Sequence, residues 1–140
     1  MKNIVPKGAV LLAVLLVKHC ILDFSQKCFP CAHKELFCSR GSFLHALTVS
    51  GPQLIIIPIF ALAINCVSWW LFGITAASFA IELLSHMVID FVKTNYRLTH
   101  EQKLTSRRRR IALDIVDQLF HVVSLIVCVV LVMLLLELTD

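Results

Sequence analysis

Four apolar segments dominate this chain, at about 8–26, 42–66, 74–93 and 114–137. Each is near the ~20 residues that a helix needs to cross the hydrocarbon of a bilayer. Hydrocarbon offers no partner to a bare backbone amide, so segments of this kind are restricted to helices. The expected fold is all-α, a polytopic membrane protein built as a four-transmembrane-helix bundle. Composition agrees, with 59% hydrophobic residues and a mean hydropathy of +0.86, against an apolar share of roughly 45–50% in soluble domains. At 140 residues the chain reads as one integral membrane domain, 1–140, too short for a separate soluble module.

Local signals punctuate these segments. Gly51 and Pro52 predict a kink in the second, and Pro58 a second irregularity. The short crossing 67–73 carries Trp69, Trp70 and Phe72, as suits an aromatic belt at the interface. The first apolar run resembles a signal peptide but lacks a small-residue cleavage pattern, and it is kept as a span. A charged segment, 94–110, is expected to link the third and fourth spans.

Lysines and arginines then set an orientation. Lys27, Lys34 and Arg40 fall in the first connection, and Lys93, Arg97, Lys103 and Arg107 to Arg110 lie around the last. The other side holds only Lys2 and Lys7, with Glu137 and Asp140. The positive-inside rule puts both basic connections in the cytoplasm and both termini outside.

Three of the spans carry a histidine and an aspartate four residues apart: His19/Asp23, His86/Asp90 and Asp117/His121. That spacing leaves both side chains on one helix face, about 40° apart. With His45 at the start of the second span, all four spans offer such residues at one depth, near the cytoplasmic side. Glu82 lies about two turns below Asp90 on the same face. Ionisable residues are costly in a membrane and mark functional sites facing protein groups. Several carboxylates in a medium of low dielectric also require protonation or a cation. Imidazole with carboxylate suits Zn, Mn or Fe, so His19, Asp23, His45, His86, Asp90, Asp117 and His121 are candidate ligands for one or two divalent metals. Against this stand interhelical hydrogen bonds that hold the bundle without metal, and a proton or ion pathway.

The elements K-H-x3-D-F from Lys18, L-H-A-L from Leu44, H-x3-D-F-x-K from His86 and D-Q-x2-H from Asp117 run in order along nearly the whole chain. In these it resembles a family of small polytopic membrane proteins of bacteria and their phages, classed as a domain of unknown function. The resemblance implies a four-helix domain of the bacterial inner membrane with an inward His/Asp cluster, and it brings no established activity. More remotely, the pattern is similar to inner-membrane proteins described as metal-dependent hydrolases. Two features depart from the family pattern: Gln26 sits one residue early, and the first loop is rich in cysteine.

In that loop Cys28, Cys31, His33 and Cys38 offer a tetrahedral zinc set, against the alternative of reduced thiols in a reducing cytoplasm. Cys20, Cys66 and Cys128 read as small hydrophobes. Arg107 to Arg110 are expected to anchor on anionic lipid headgroups rather than on nucleic acid, since no aromatics interleave them. Lys18 and Lys93 flank the cluster and are expected to snorkel to headgroups, or else to hold an anionic substrate. His100-Glu101 does not continue into H-E-x-x-H, because position 104 is leucine.

Three functional classes remain open. A metal-dependent hydrolase acting on a lipid-linked ester or phosphoester would use Asp90 or Glu82 as its catalytic base. It would also need a lateral gap between helices. A structural or accessory membrane protein would use the same cluster to hold the bundle together. Transport would need a polar stripe across the whole membrane, which the apolar run 125–136 interrupts; an oligomeric pore stays open.

Overall fold

The computed structural model describes residues 4–26, 35–37, 39–104 and 106–139. Its helices are α1 (Ile4–Gln26), α2 (Arg40–Ser50), α3 (Gln53–Ala63), α4 (Leu71–Thr99) and α5 (Arg107–Thr139), with a 3-10 turn at Glu101–Leu104. Among the described residues there is no strand. Four stretches are long and apolar enough to cross a membrane: Val5–Ser25, Arg40–Ala63, Leu71–Thr99 and Arg107–Leu138. The protein is an all-α four-helix bundle, and α2 and α3 together make its second span. The cysteine-rich set Cys28, Cys31, His33 and Cys38, and the side chain of Gln26, lie outside the described residues.

The second span divides where Pro52 lacks the amide that a continuous helix would use. The chain stays right-handed through Gly51 and Pro52 and tightens, Leu54 N–H donating to Gly51 O and Ile55 N–H to Pro52 O, three residues back. Glycine is required there, because a Cβ at position 51 would stand 2.8 Å from the carbonyl oxygen of Leu47. Pro58 sits inside α3 without ending it. The N-terminus of α2 is capped by Ser39, whose hydroxyl accepts from the amide of Ser42 at 3.0 Å. At the far turn Asn65 takes a φ of 57°, a left-handed conformation that asparagine tolerates better than most residues.

The segment 94–110 is mostly helical rather than a linker. It contains no glycine or proline, so α4 continues to Thr99 and α5 starts at Arg107.

Burial follows helical periodicity in each span. On α1, Leu11, Leu15, Lys18, His19 and Asp23 face inward, while Val10, Val14, Val17 and Ile21 face outward. On α4, Ile74, Ser78, Glu82, His86 and Asp90 form an inward row at intervals of four. On α5, Asp117, His121, Leu125, Cys128, Val132 and Leu136 do the same at intervals of three and four. Apolar side chains therefore cover the outside and polar ones fill part of the interior, the arrangement expected where lipid is the solvent. The α1 span packs against α5 and the second span, and α4 packs against those same two.

The interior has two levels. Towards the turn 64–70, Leu11, Leu15, Ile57, Ala61, Leu125 and Val132 form an apolar core. Towards the connections 27–39 and 100–106 the core is polar. Contacts close this end: Asn95 donates to Glu35 O at 3.3 Å, and the rings of Phe37 and Phe91 meet at 5.6 Å. With lipid as apolar as leucine, burial alone does not drive the helices together, so packing and interhelical polar contacts hold them.

Candidate metal centre

Because the inward rows of four helices turn polar at one level, their imidazoles and carboxylates meet. His86 of α4 is the hub. Its ring centroid lies 4.4 Å from that of His121, 5.0 Å from His45 and 5.5 Å from His19. His19 and His121 are 4.7 Å apart. Asp90 stands between three of these rings, with carboxylate oxygens 3.3 Å from His45 Nε2, 3.7 Å from His86 Nε2 and 4.0 Å from His121 Nε2. Asp23 Oδ1 approaches His45 Nε2 to 3.3 Å, and Asp117 Oδ1 approaches His121 Nε2 to 3.8 Å. All seven residues singled out as metal ligands are buried in this one cluster.

The ligand atoms fall into three overlapping groups: His19, His86 and His121; Asp23, His45 and His86; and Asp90, Asp117 and His121. Within each group the atoms lie within 4.8 Å of one another. Bonds of about 2.0–2.2 Å hold ligands at most roughly 4.4 Å apart, so binding requires a small closure of the side chains.

Two properties fit a cation. Both ring nitrogens of His19 and His86, Nε2 of His121 and Oδ1 of Asp117 are buried and have no hydrogen-bond partner among the described residues, and buried polar atoms left in that state are costly. The His–Asp approaches of 3.7–4.0 Å exceed hydrogen-bonding distance. The formal charge points the same way. Among the described residues, the three buried aspartates face one ammonium, that of Lys93, which donates to Asp117 Oδ2 at 2.7 Å and reaches the exposed Asp114 at 3.0 Å. The carboxylates outnumber the ammonium, an excess that a divalent ion would offset.

Residues outside the seven shape the cluster. Gln118 donates to Asp23 Oδ2 at 3.2 Å and approaches Asp117 Oδ2 at 3.4 Å, tying α5 to α1. Its place in D-Q-x2-H, about 100° round the helix from Asp117, was the available signal. Glu82, expected as a catalytic base, stands one turn deeper than His86. Lys18 donates to its Oε1 at 2.6 Å, while its Oε2 has no hydrogen-bond partner. Lys18 therefore turns inward instead of snorkelling, since in a low dielectric a carboxylate within reach outweighs a longer path to the headgroups. Deeper still, Gln53 donates to Ser78 at 2.8 Å, and Cys128 Sγ lies 3.8 Å from Ser78 O.

A groove of about 740 Å³ runs between α4 and α5 beside the cluster. Asp117 and Lys93 lie in its wall.

Residues 11–139 match the family model described as "Protein of unknown function (DUF3307)". The match agrees with the resemblance to a family of unknown function, and it carries no activity with it. No curated protein and no solved structure matches the chain.

Proposed function

This chain belongs to the DUF3307 family of proteins of unknown function, and on that premise we propose that it is a membrane-embedded metalloprotein. In this reading His19, Asp23, His45, His86, Asp90, Asp117 and His121 hold one or two divalent ions of the Zn, Mn or Fe type. The observation that carries it is the set of buried imidazole nitrogens on His19, His86 and His121 that lack hydrogen-bond partners while facing three carboxylates. A cation offsets both the lost hydrogen bonds and the excess negative charge.

The reaction class this supports is hydrolysis of a lipid-linked ester or phosphoester. A bound divalent ion would supply a water of lowered pKa there. Asp90, 3.3 Å from His45 Nε2 and in contact with two further rings, orients the imidazoles and takes a proton as base. Glu82, with Lys18 on one oxygen and its other oxygen buried without a partner among the described residues, is the alternative base, and whichever carboxylate takes the proton of the water returns it to the leaving oxygen.

In this reading the positive-inside rule puts the basic connections on the cytoplasmic side, and the bacterial inner membrane is what the family resemblance implies. Impermeant labelling of cysteines introduced at Ser106 and Ser68 in cells tests this, with Ser68 alone expected to react from outside.

A second reading keeps the cluster as glue in a structural or accessory protein. It is favoured by the interhelical pairs Lys18–Glu82, Gln53–Ser78 and Ser85–Ser124. Elemental analysis of the detergent-purified protein separates the two. The metal reading expects at least one bound transition metal per chain, lost on chelation, and a chain free of metal after growth with each candidate ion overturns it.

A further inference from the structure

The groove between α4 and α5 is apolar along its length and basic at one end. Its walls are apolar, formed by Val88 and Val92 on α4 and by Leu113, Val116 and Phe120 on α5. Val88, Val92, Val116 and Phe120 are 46–59% exposed, so the groove opens sideways towards lipid. From Arg109 to Phe120 it follows α5 for roughly 16 Å, about half the ~30 Å hydrocarbon thickness and so about one leaflet. Its volume falls within the roughly 300–1,000 Å³ of sites that bury a small molecule. The end nearest the connection 100–106 changes character, with Lys93, His100 and Arg109 in the wall.

Charge identifies the occupant. The first turn of α5 is four arginines with no acidic residue, placed at the helix end whose dipole already disfavours cations. The basic lining of that end complements an anionic headgroup, and the apolar walls below it call for a chain. We infer that this groove seats one acyl chain of an anionic membrane phospholipid, with the headgroup phosphate at the end lined by Arg109.

The headgroup then lies near Asp117, which lines the groove and whose carboxylate belongs to the metal-ligand cluster. Assignment of that lipid as the hydrolytic substrate rests on the metal-centre reading above. Its binding in the groove does not, and the two fail separately.

Native mass spectrometry of the detergent-purified full chain, with metal content measured on the same samples, provides the test. The probes are a palmitoyl-oleoyl phosphatidylglycerol, the phosphatidylcholine of the same chains, and glycerol phosphate, which has the head without the chain. Wild type is expected to retain phosphatidylglycerol over both others. Filling the groove at exposed wall positions, Val92→Trp or Ala112→Trp, should weaken that binding at least roughly tenfold, whereas Val130→Trp, on the lipid-facing surface outside the groove, should not. Arg109→Gln should remove the preference for the anionic head and leave chain-dependent binding. Retention by the filled variants equal to wild type, equal binding of glycerol phosphate, or a filled variant that matches Val130→Trp overturns the inference. Lipid loss at unchanged metal content supports the groove. Absence of metal with groove-dependent lipid binding supports it too, and removes only the hydrolase reading.

Discussion

The ammonium of Lys18 lies 2.6 Å from Oε1 of Glu82, joining α1 to α4 inside the bundle. Both side chains are buried at 6% and 3% exposure, so neither can turn to water when its partner is lost. Lys18→Met leaves the carboxylate alone and should cost about 3–5 kcal/mol, read as a lowered unfolding midpoint in detergent. Lys18→Met with Glu82→Leu should recover most of that loss. Equal midpoints for Lys18→Met and wild type would show the pair to be dispensable.

Removal of the hub should empty the centre. His86 touches the other three imidazoles and belongs to two of the three ligand groups. His86→Ala is expected to drop bound metal well below one ion per chain while helicity by circular dichroism is kept. Asp117→Ala should act in the same direction. Unchanged metal in both variants contradicts ligation by either.

Gln118 acts through the carboxylates it holds. Its amide steadies Asp23 and borders Asp117, and losing such an outer partner lowers metal affinity by roughly 10–100-fold. Gln118→Leu, of similar size, should show that loss in a chelator competition titration, and Gln118→Glu should not restore it, since a carboxylate cannot donate. Affinity equal to wild type in the leucine variant removes Gln118 from the site.

Backbone proximity at the kink gives a test unconnected with metal. A methyl group at position 51 would meet the Leu47 carbonyl at 2.8 Å, so Gly51→Ala must shift α2 against α3. Such overpacking costs about 1–3 kcal/mol, and the displacement should carry to His45 on α2. A thermal midpoint within error of wild type would mean that the kink relaxes freely.

What can be read along the chain is local. A helix returns to the same face every three or four residues, so the inward rows of α1, α4 and α5 and the shared depth of their histidines and aspartates follow from spacing and from the alternation of spans. The division of the second span is equally local, because Pro52 removes its own amide. The extent of α4 and α5 was harder to see. Charge in 94–110 suggested a linker, although the segment holds no glycine or proline and the helices reach into it from both sides.

Partnership between side chains on different helices is another matter, since it depends on how each helix is rotated and how closely it approaches its neighbour. No spacing along α1 states that Lys18 meets Glu82 rather than the headgroups, or that Gln118 reaches Asp23. The same holds for the groove beside Asp117, which is lined jointly by α4 and α5. Periodicity assigns a residue to a face; only the packed bundle decides which atoms that face meets, because interhelical distance and rotation are properties of all four spans at once.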